Sequence, residues 1–409
     1  MKVNDLFFQG HDAYIYMERY VNNGSPSGYT LINTTSNKTS PFFGEKEFKL
    51  YTFCDTNYVN YSFGIDKNEI FNGCNYIHPD SYNSSVLKGF NISFEKTSFS
   101  VIPTSSSRTV LVNDDKKYYF LKLTYDMSKI GRCDRQISKI SALASYENSE
   151  FIMKCIDNKK LPAFLAILPE SFAKTTVLEN SVKSYEWGTI YREIVPYPII
   201  NKVTSLIPAF ALFSKDQKNR EDEYLINQLI MLSNISAKEY LLNLIFMLVD
   251  SYWTLLINCG LSAELHSQNC LIEIDRNYRV NRIIIKDMED VDRDNYIARL
   301  FNIKTNWFST NYKTFDINSP DYKYRTSYMY DFKFGEYLLK PLIDVVCQKN
   351  NINQNYFYEV IRTYVRNNYL LKLPEEYFFS KNSWFSRSNE DDGTLKRKKY
   401  IENKNPKFR

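Results

Sequence analysis

Glycine is scarce in this chain, at 12 of 409 residues, and no glycine-rich stretch near the N-terminus could fold over phosphates as the loop of protein kinases does. Cysteine is present but unorganised: the seven residues, at 54, 74, 133, 155, 259, 270 and 347, are dispersed, odd in number and free of any C-x-x-C pair. That pattern argues against a zinc ribbon or a disulfide framework, and reduced thiols in a cytoplasmic protein are expected. Excess charge is lacking too. With 52 basic against 47 acidic side chains the formal net charge is +5, which gives no case for nucleic acid as a partner. The one long apolar run, Leu241 to Ile257, is interrupted by Asn243 and Asp250. It falls about three residues short of the ~20 that a bilayer needs, so a buried helix is expected and no membrane span. The opening Met1-Lys2-Val3-Asn4-Asp5 is polar, and export by a standard signal is not expected.

Aromatic residues, by contrast, are abundant. They make up 16% of the chain, which suits a large core and equally the interface of a homodimer. The length accommodates two or three domains. Residues 1 to about 120 are rich in Tyr, Phe, Asn, Ser and Thr with little helical periodicity, predicting strands and long loops. Segments 222–259, 337–350 and 354–369 carry helical patterns, so the class is α+β. Asn22 to Ser40 reads as a surface loop, and the basic run Lys396-Arg397-Lys398-Lys399 with Lys404 to Arg409 reads as a solvated tail. No internal repeat is visible.

Chemistry concentrates in Glu264-Leu265-His266-Ser267-Gln268-Asn269, followed by an apolar hairpin pattern, Leu271 to Ile274 and Ile283 to Ile285, with Asp275-Arg276-Asn277 as its turn. A hairpin brings Asn269 and Asp287 to the same end. An amide and a carboxylate there suit a hard cation such as Mg²⁺, which takes oxygen ligands and keeps several waters. A second group is Pro103-Thr104-Ser105-Ser106-Ser107-Arg108-Thr109, ahead of one strand pattern, with Lys122 inside its hairpin partner. Hydroxyls, a guanidinium fork and an ammonium point charge at one strand end suit a polyphosphate. Arg132 and Arg135 follow closely. Either group alone also fits ordinary turn chemistry.

In order and approximate spacing, Pro103 to Thr109, Lys122 with an arginine about a dozen residues on, Arg192-Glu193, Glu264-x-His266-x-Gln268-Asn269 and Lys286-Asp287 resemble the siderophore synthetases that work without a peptide-synthetase template, the NIS synthetase family. The resemblance runs from about Ile77 to the end, where Lys381, Arg387 and Asn405-Pro406 look like that family's closing signals.

The resemblance implies a cradle of thumb, fingers and palm: a thumb-like region over 1–100, antiparallel β-rich fingers over 101–220 and a mainly helical palm with the hairpin over 221–409. It implies an ATP-dependent ligase that adenylates a carboxylic acid such as citrate, then condenses it with an amine, hydroxylamine or alcohol, releasing AMP and pyrophosphate. Such enzymes serve siderophore biosynthesis and iron acquisition. On the same ground Ser106, Arg108, Thr109, Lys122 and Arg132 contact the nucleotide, with His266, Gln268, Asn269 and Asp287 lining its pocket. Among these, His266, Arg108, Lys122 and Arg132 are the catalytic candidates, and Glu264, Asn269 and Asp287 the Mg²⁺ ligands. Arg135 is the alternative to Arg132. This chain also departs from the pattern. The family's His-Pro-x-His-Pro-x-x-Lys signature is not found before residue 77, His78-Pro79 matches only a later His-Pro element, and Lys286 stands where the family has arginine. A shortened, rebuilt thumb is the expectation. Two other readings compete: a non-catalytic member that binds nucleotide or a partner, and a kinase-like phosphotransferase using Glu264, Asn269 and Asp287.

Overall fold

Alternating apolar side chains build the larger of two facing sheets. In Thr109–Asp114 and Lys117–Leu123, Val110, Val112, Tyr119, Leu121 and Leu123 turn to one apolar cluster while Leu111 and Phe120 turn to another, as the two-residue period of a strand dictates. The computed structural model describes residues 2–409, apart from 4–5, 24–38, 42–43, 55–57, 66, 72, 91, 107, 115–116, 126–134, 181–182, 321, 379–382, 390–394 and 403–405. For residues 8–9, 68–69, 323, 376, 383–389 and 395–402 only the backbone is described.

The six-stranded sheet runs in the order Val59–Gly64, Phe172–Glu179, Ser184–Glu193, Lys117–Leu123, Thr109–Asp114, Val101–Pro103, with every neighbouring pair antiparallel. A four-stranded sheet is centred on the hairpin Cys270–Ile274 and Val280–Ile285, flanked by Ser205–Pro208 and, in parallel, by Leu165–Ile167. The fold is thus mixed α+β with several antiparallel sheets. The hairpin registers Cys270 opposite Ile285 and Ile274 opposite Val280. Its connection is therefore longer than the three-residue turn expected, because Asp275 Oδ1 accepts the Asn277 and Arg279 amides and closes a wider loop.

One apolar cluster draws on both sheets: Ile102, Leu111 and Phe120 from the first, Ala166, Leu271 and Ile284 from the second, with Tyr14 beside them. This contact presses the strand face carrying Lys122 toward the hairpin. Behind the four-stranded sheet lies the largest core, organised around the helix Ala237–Cys259. It is long and apolar enough to cross a membrane, but 67% of its apolar window is buried inside the protein, as the sequence predicts for a core helix. Ser236 caps its start by accepting the Glu239 amide, and Gly260, at φ 68°, ends it in the left-handed conformation that favours glycine.

Three expectations need correction. The C-terminal end is not simply a solvated tail: Phe408 is buried and its carbonyl accepts from Tyr330 Oη at 2.9 Å, while Arg409 pairs with Asp331 at 2.8 Å. The N-terminal region is not only strand and loop: His11–Tyr20 is a helix, with Ala13, Tyr14, Met17 and Glu18 buried. Its apolar positions are interleaved with charge, which weakens the helical pattern in the sequence. The thiols are not all reduced: Cys54 and Cys74 form a disulfide. Tyr51–Phe53 pairs antiparallel with Asn75–Ile77, Phe53 opposite Asn75, so the next register pair is Cys54 with Cys74. Their Cα atoms lie 4.2 Å apart, near the shorter of the two spacings of directly opposed residues. Two cysteines twenty positions apart in sequence carry no mark of that register.

Candidate active site

The site forms where the face of one sheet that packs toward the hairpin meets the end of that hairpin in the other. Thr109 lies opposite Lys122, and Phe120 opposite Arg192, so alternation sets Thr109, Lys122 and Arg192 on the face that Phe120 turns toward the hairpin. Arg108 precedes the strand. Beyond the hairpin, Asp287 adopts a left-handed conformation at φ 76° and opens the short 3₁₀ turn Met288–Asp290. That turn aims its carboxylates back at the cations. Lys122 pairs with Asp287 and, at 2.6 Å, with Glu289. Arg108 Nη2 reaches Glu289 at 3.4 Å. Arg192 Nη2 bridges Glu170 at 2.5 Å and Asp287 at 3.1 Å.

These are buried charges, and their ionisation follows from their neighbours. Burial alone would lower the Lys122 ammonium, but Asp287 and Glu289 outweigh it and raise its pKa. Burial would raise Asp287, yet Lys122 and Arg192 bring it down to about 2. Glu289 is likewise held below the usual carboxylate range by Lys122 and Arg108 against the effect of burial. Lys313 does the same for Asp290. The result is a set of fixed opposite charges in a low-dielectric setting, where each interaction is strong and a lost partner is costly.

His266 is buried and its pKa falls to about 4, first through desolvation and then through nearby Lys333. Its Nδ1 accepts the Gln268 amide at 3.1 Å. The neutral ring therefore carries its proton on Nε2, as a single donor. Glu264 pairs with Lys333 at 2.6 Å; burial would raise its pKa, and Lys333 instead lowers it. The Asn269 side-chain Nδ2 donates back to the Glu264 backbone carbonyl at 3.2 Å, and the Asn269 backbone carbonyl accepts from Lys286 N at 3.0 Å. In the same loop the Ser267 hydroxyl is fully buried with no hydrogen-bond partner among the described residues.

The turn before Arg108 is internally bonded. Thr104 Oγ1 donates to the Thr109 carbonyl at 2.6 Å, and the Ser106 hydroxyl donates to Thr109 Oγ1 at 3.3 Å. The structure thus brings Ser106, Arg108, Thr109, Lys122 and Asp287 together, with His266 and Glu264 within electrostatic reach of the Asp287–Asp290 turn. Gln268 is half-buried beside them. Arg132 lies outside the described residues, as do Lys381 and Asn405 and the Arg387 side chain. Arg135 is described, and its carbonyl accepts from Arg108 Nη1 at 3.4 Å. His78 is buried, packed between Phe48 and Tyr125.

Several members escape the sequence motifs. Glu289 and Asp290 are signalled only by the acidic run Asp287 to Asp294 and Glu170, Lys313 and Lys333 by nothing local, whereas Arg192 stands in the resemblance, beside Glu193, with no site role attached to it. The expected metal ligands do not converge on an empty position: Glu264 and Asp287 are each paired with a cation, and among the described residues no group of three His, Cys, Asp or Glu side chains could hold a metal ion. Their oxygens remain the right type for a hard cation.

No protein-family model matches the sequence, and no curated protein matches it significantly. Solved structures do match. The petrobactin biosynthesis protein AsbB of Bacillus anthracis superposes with a TM-score of 0.69 at 12% identity, over 91% of this chain and 71% of that one. The aerobactin synthetase IucC of a hypervirulent pathotype of Klebsiella pneumoniae gives 0.66 at 13% identity, over 87% and 69%. ATP-bound aerobactin synthetase IucA from the same source gives 0.66 at 12% identity, over 93% and 76%. The chain has the fold of the NIS synthetases.

Proposed function

We propose that this protein is an ATP-dependent carboxylate ligase of the NIS type, one that adenylates a carboxylic acid such as citrate and passes the acyl group to an amine, hydroxylamine or alcohol. The observation that carries this reading is the set Arg108, Lys122 and Arg192, delivered by one sheet against Asp287 and Glu289 at the hairpin of the other. The shared fold supports it, since one of the matching structures is described as ATP-bound. In this reading the six-stranded sheet corresponds to the fingers and the helical half with its hairpin to the palm.

Attack of a carboxylate on an α-phosphate joins two anions, so the reaction needs positioned positive charge. Arg108 and Arg192 offer planar forks for phosphate oxygens and Lys122 a point charge. Turning to phosphate, they release Asp287 and Glu289. Mg²⁺, when bound, would offset phosphate charge, with Asp287, Glu289 and Asn269 supplying its protein oxygens. Neutral His266 can donate from Nε2 to an oxygen that gains charge.

The test is pyrophosphate release from Mg-ATP across a panel of citrate, 2-oxoglutarate, succinate and amino acids, with hydroxylamine as the surrogate nucleophile. Acid-dependent pyrophosphate is expected, falling on the order of 10²-fold or more in Arg108→Ala. Formation of ADP instead would assign a phosphotransferase. ATP binding without turnover on any acid would favour the non-catalytic reading, which the complete pairing of these cations by carboxylates also suits.

A further inference from the structure

The helix His11–Tyr20 sends one carboxylate into the protein interior. Glu18 is 2% exposed, and four groups from three segments meet it. Tyr14 Oη donates at 2.7 Å from the preceding helical turn. The backbone amide and hydroxyl of Ser105 donate at 3.1 and 2.5 Å. The Lys286 ammonium lies at 3.3 Å. Ser105 immediately precedes Ser106 in the turn that leads to Arg108, and Lys286 immediately precedes Asp287. Glu18 therefore joins the two halves of the proposed site through the residues that precede Ser106 and Asp287.

A buried ion pair is a poor device for stability alone. Desolvating a carboxylate and an ammonium costs several kcal/mol, and apolar residues of similar volume often serve as well or better. What the ion adds is direction. Four bonds converging on two oxygens fix the Ser105 backbone and the Lys286 side chain together. They also sort charge. Lys286 is adjacent in sequence to Asp287, and its pairing with Glu18 leaves Asp287 and Glu289 to Lys122, Arg108 and Arg192. The next residue, Arg19, ties the same helix to a second loop, donating to the Pro41 carbonyl at 2.9 Å and the Lys46 carbonyl at 3.0 Å. Tyr16 Oη bonds Asp216 at 2.9 Å. The helix is thus anchored on both sides of Glu18.

We infer that Glu18 is a positioning residue for nucleotide binding, holding the Thr104–Arg108 turn and the Lys286–Asp287 end of the hairpin in mutual register. This rests on the ligase reading for the identity of the nucleotide, but not on turnover. Glu18→Gln keeps the volume and an acceptor for Ser105 while removing the charge that holds Lys286. Ser105→Ala is the milder second variant, leaving the Glu18–Lys286 pair intact.

The experiment is calorimetric titration of the protein with Mg-ATP, together with KM for ATP and kcat in the pyrophosphate assay and the melting temperature of each variant. The expected result is a fall in Mg-ATP affinity of about 10-fold or more in Glu18→Gln, equivalent to about 1.4 kcal/mol, with a smaller fall in Ser105→Ala. KM should rise with the loss of affinity while kcat changes less. Unaltered Mg-ATP affinity in both folded variants, whatever their melting temperatures, would overturn the inference and leave the ligase reading standing. Should Glu18→Gln not fold, unaltered affinity in Ser105→Ala alone overturns it. Failure of the unmutated protein to bind Mg-ATP would overturn both.

Discussion

The histidines show how strongly the interior sets the state of single side chains. His78 and His266 are each buried with a pKa of about 4, desolvation being the leading cause, whereas in the unfolded chain both return to ~6.5. Between those values the unfolded state binds more protons, so stability rises with pH through this window and is lost as pH falls from 6.5 to 4. Protonating each buried ring costs the fold on the order of 3 kcal/mol once pH is below both values. Asp294, raised to about 6 chiefly by burial, acts in the opposite sense over part of the same range. The comparison that isolates the rings is urea denaturation at pH 7 and pH 5 for the unmutated protein and for His78→Gln/His266→Gln. The loss on acidification should be markedly smaller in the variant; equal losses would mean that neither ring is held neutral by burial. Lys122 is a second case. Lys122→Met leaves Asp287 and Glu289 facing each other without their shared ammonium, and a loss of about 3 kcal/mol or more is expected by urea denaturation. A stability within error of the unmutated protein would show that Arg108 and Arg192 neutralise both carboxylates unaided. At this scale the sequence was informative where chemistry coincided with a local pattern. Lys122 stands at a strand position whose alternation can be read directly, Arg108 immediately before its partner strand, and Asn269 and Asp287 flank a hairpin whose apolar strands announce it. Lys333 and Glu18 reach their partners across sequence separations that no local period encodes.

Among elements, the apolar ones were the legible ones. Ala237–Cys259 and the hairpin strands bury nearly continuous hydrophobic runs, so composition and length alone identify them. The helix His11–Tyr20 was missed because its burial rests on bonds as much as on apolar contact: Glu18 and Arg19 are 2% and 3% exposed and are satisfied by distant loops. The Cys54–Cys74 link was missed for a related reason, since it depends on the register of two short strands. It closes a loop with a sequence separation of 20, for which chain-entropy arguments give about 3 kcal/mol of stabilisation. Two thiols fewer should react in the denatured, unreduced protein than after reduction. The melting temperature should fall on adding dithiothreitol, and Cys54→Ser should start at the lower value and be insensitive to reductant. A reductant effect that persists in Cys54→Ser would place the sensitive bond elsewhere.

For the molecule as a whole, the two sheets meet through one modest apolar cluster and through a layer of paired charges at the site. Such a layer is balanced without ligand, so a lone anion or a lone cation entering it would leave some buried group without a partner. On the ligase reading Mg-ATP would bring both signs together: phosphates for Arg108, Lys122 and Arg192, and a hard cation for the carboxylates they release. Binding should therefore be strongly cooperative between metal and nucleotide, and should stabilise the contact between sheets. At about 100 times its dissociation constant Mg-ATP is expected to add about 2.7 kcal/mol to the free energy of unfolding, read as a rise in melting temperature. Mg²⁺ alone should give little shift, and ATP with chelator much less than Mg-ATP. Because the cations are largely screened from solvent by their partners, the Mg-ATP shift should also survive 0.15 M salt, where exposed charge pairs more than ~8 Å apart are damped. A shift from Mg²⁺ alone as large as that from Mg-ATP would identify Asp287, Glu289 and Asp290 as a plain cation site, and the exchange of partners that underlies the ligase reading would have no basis.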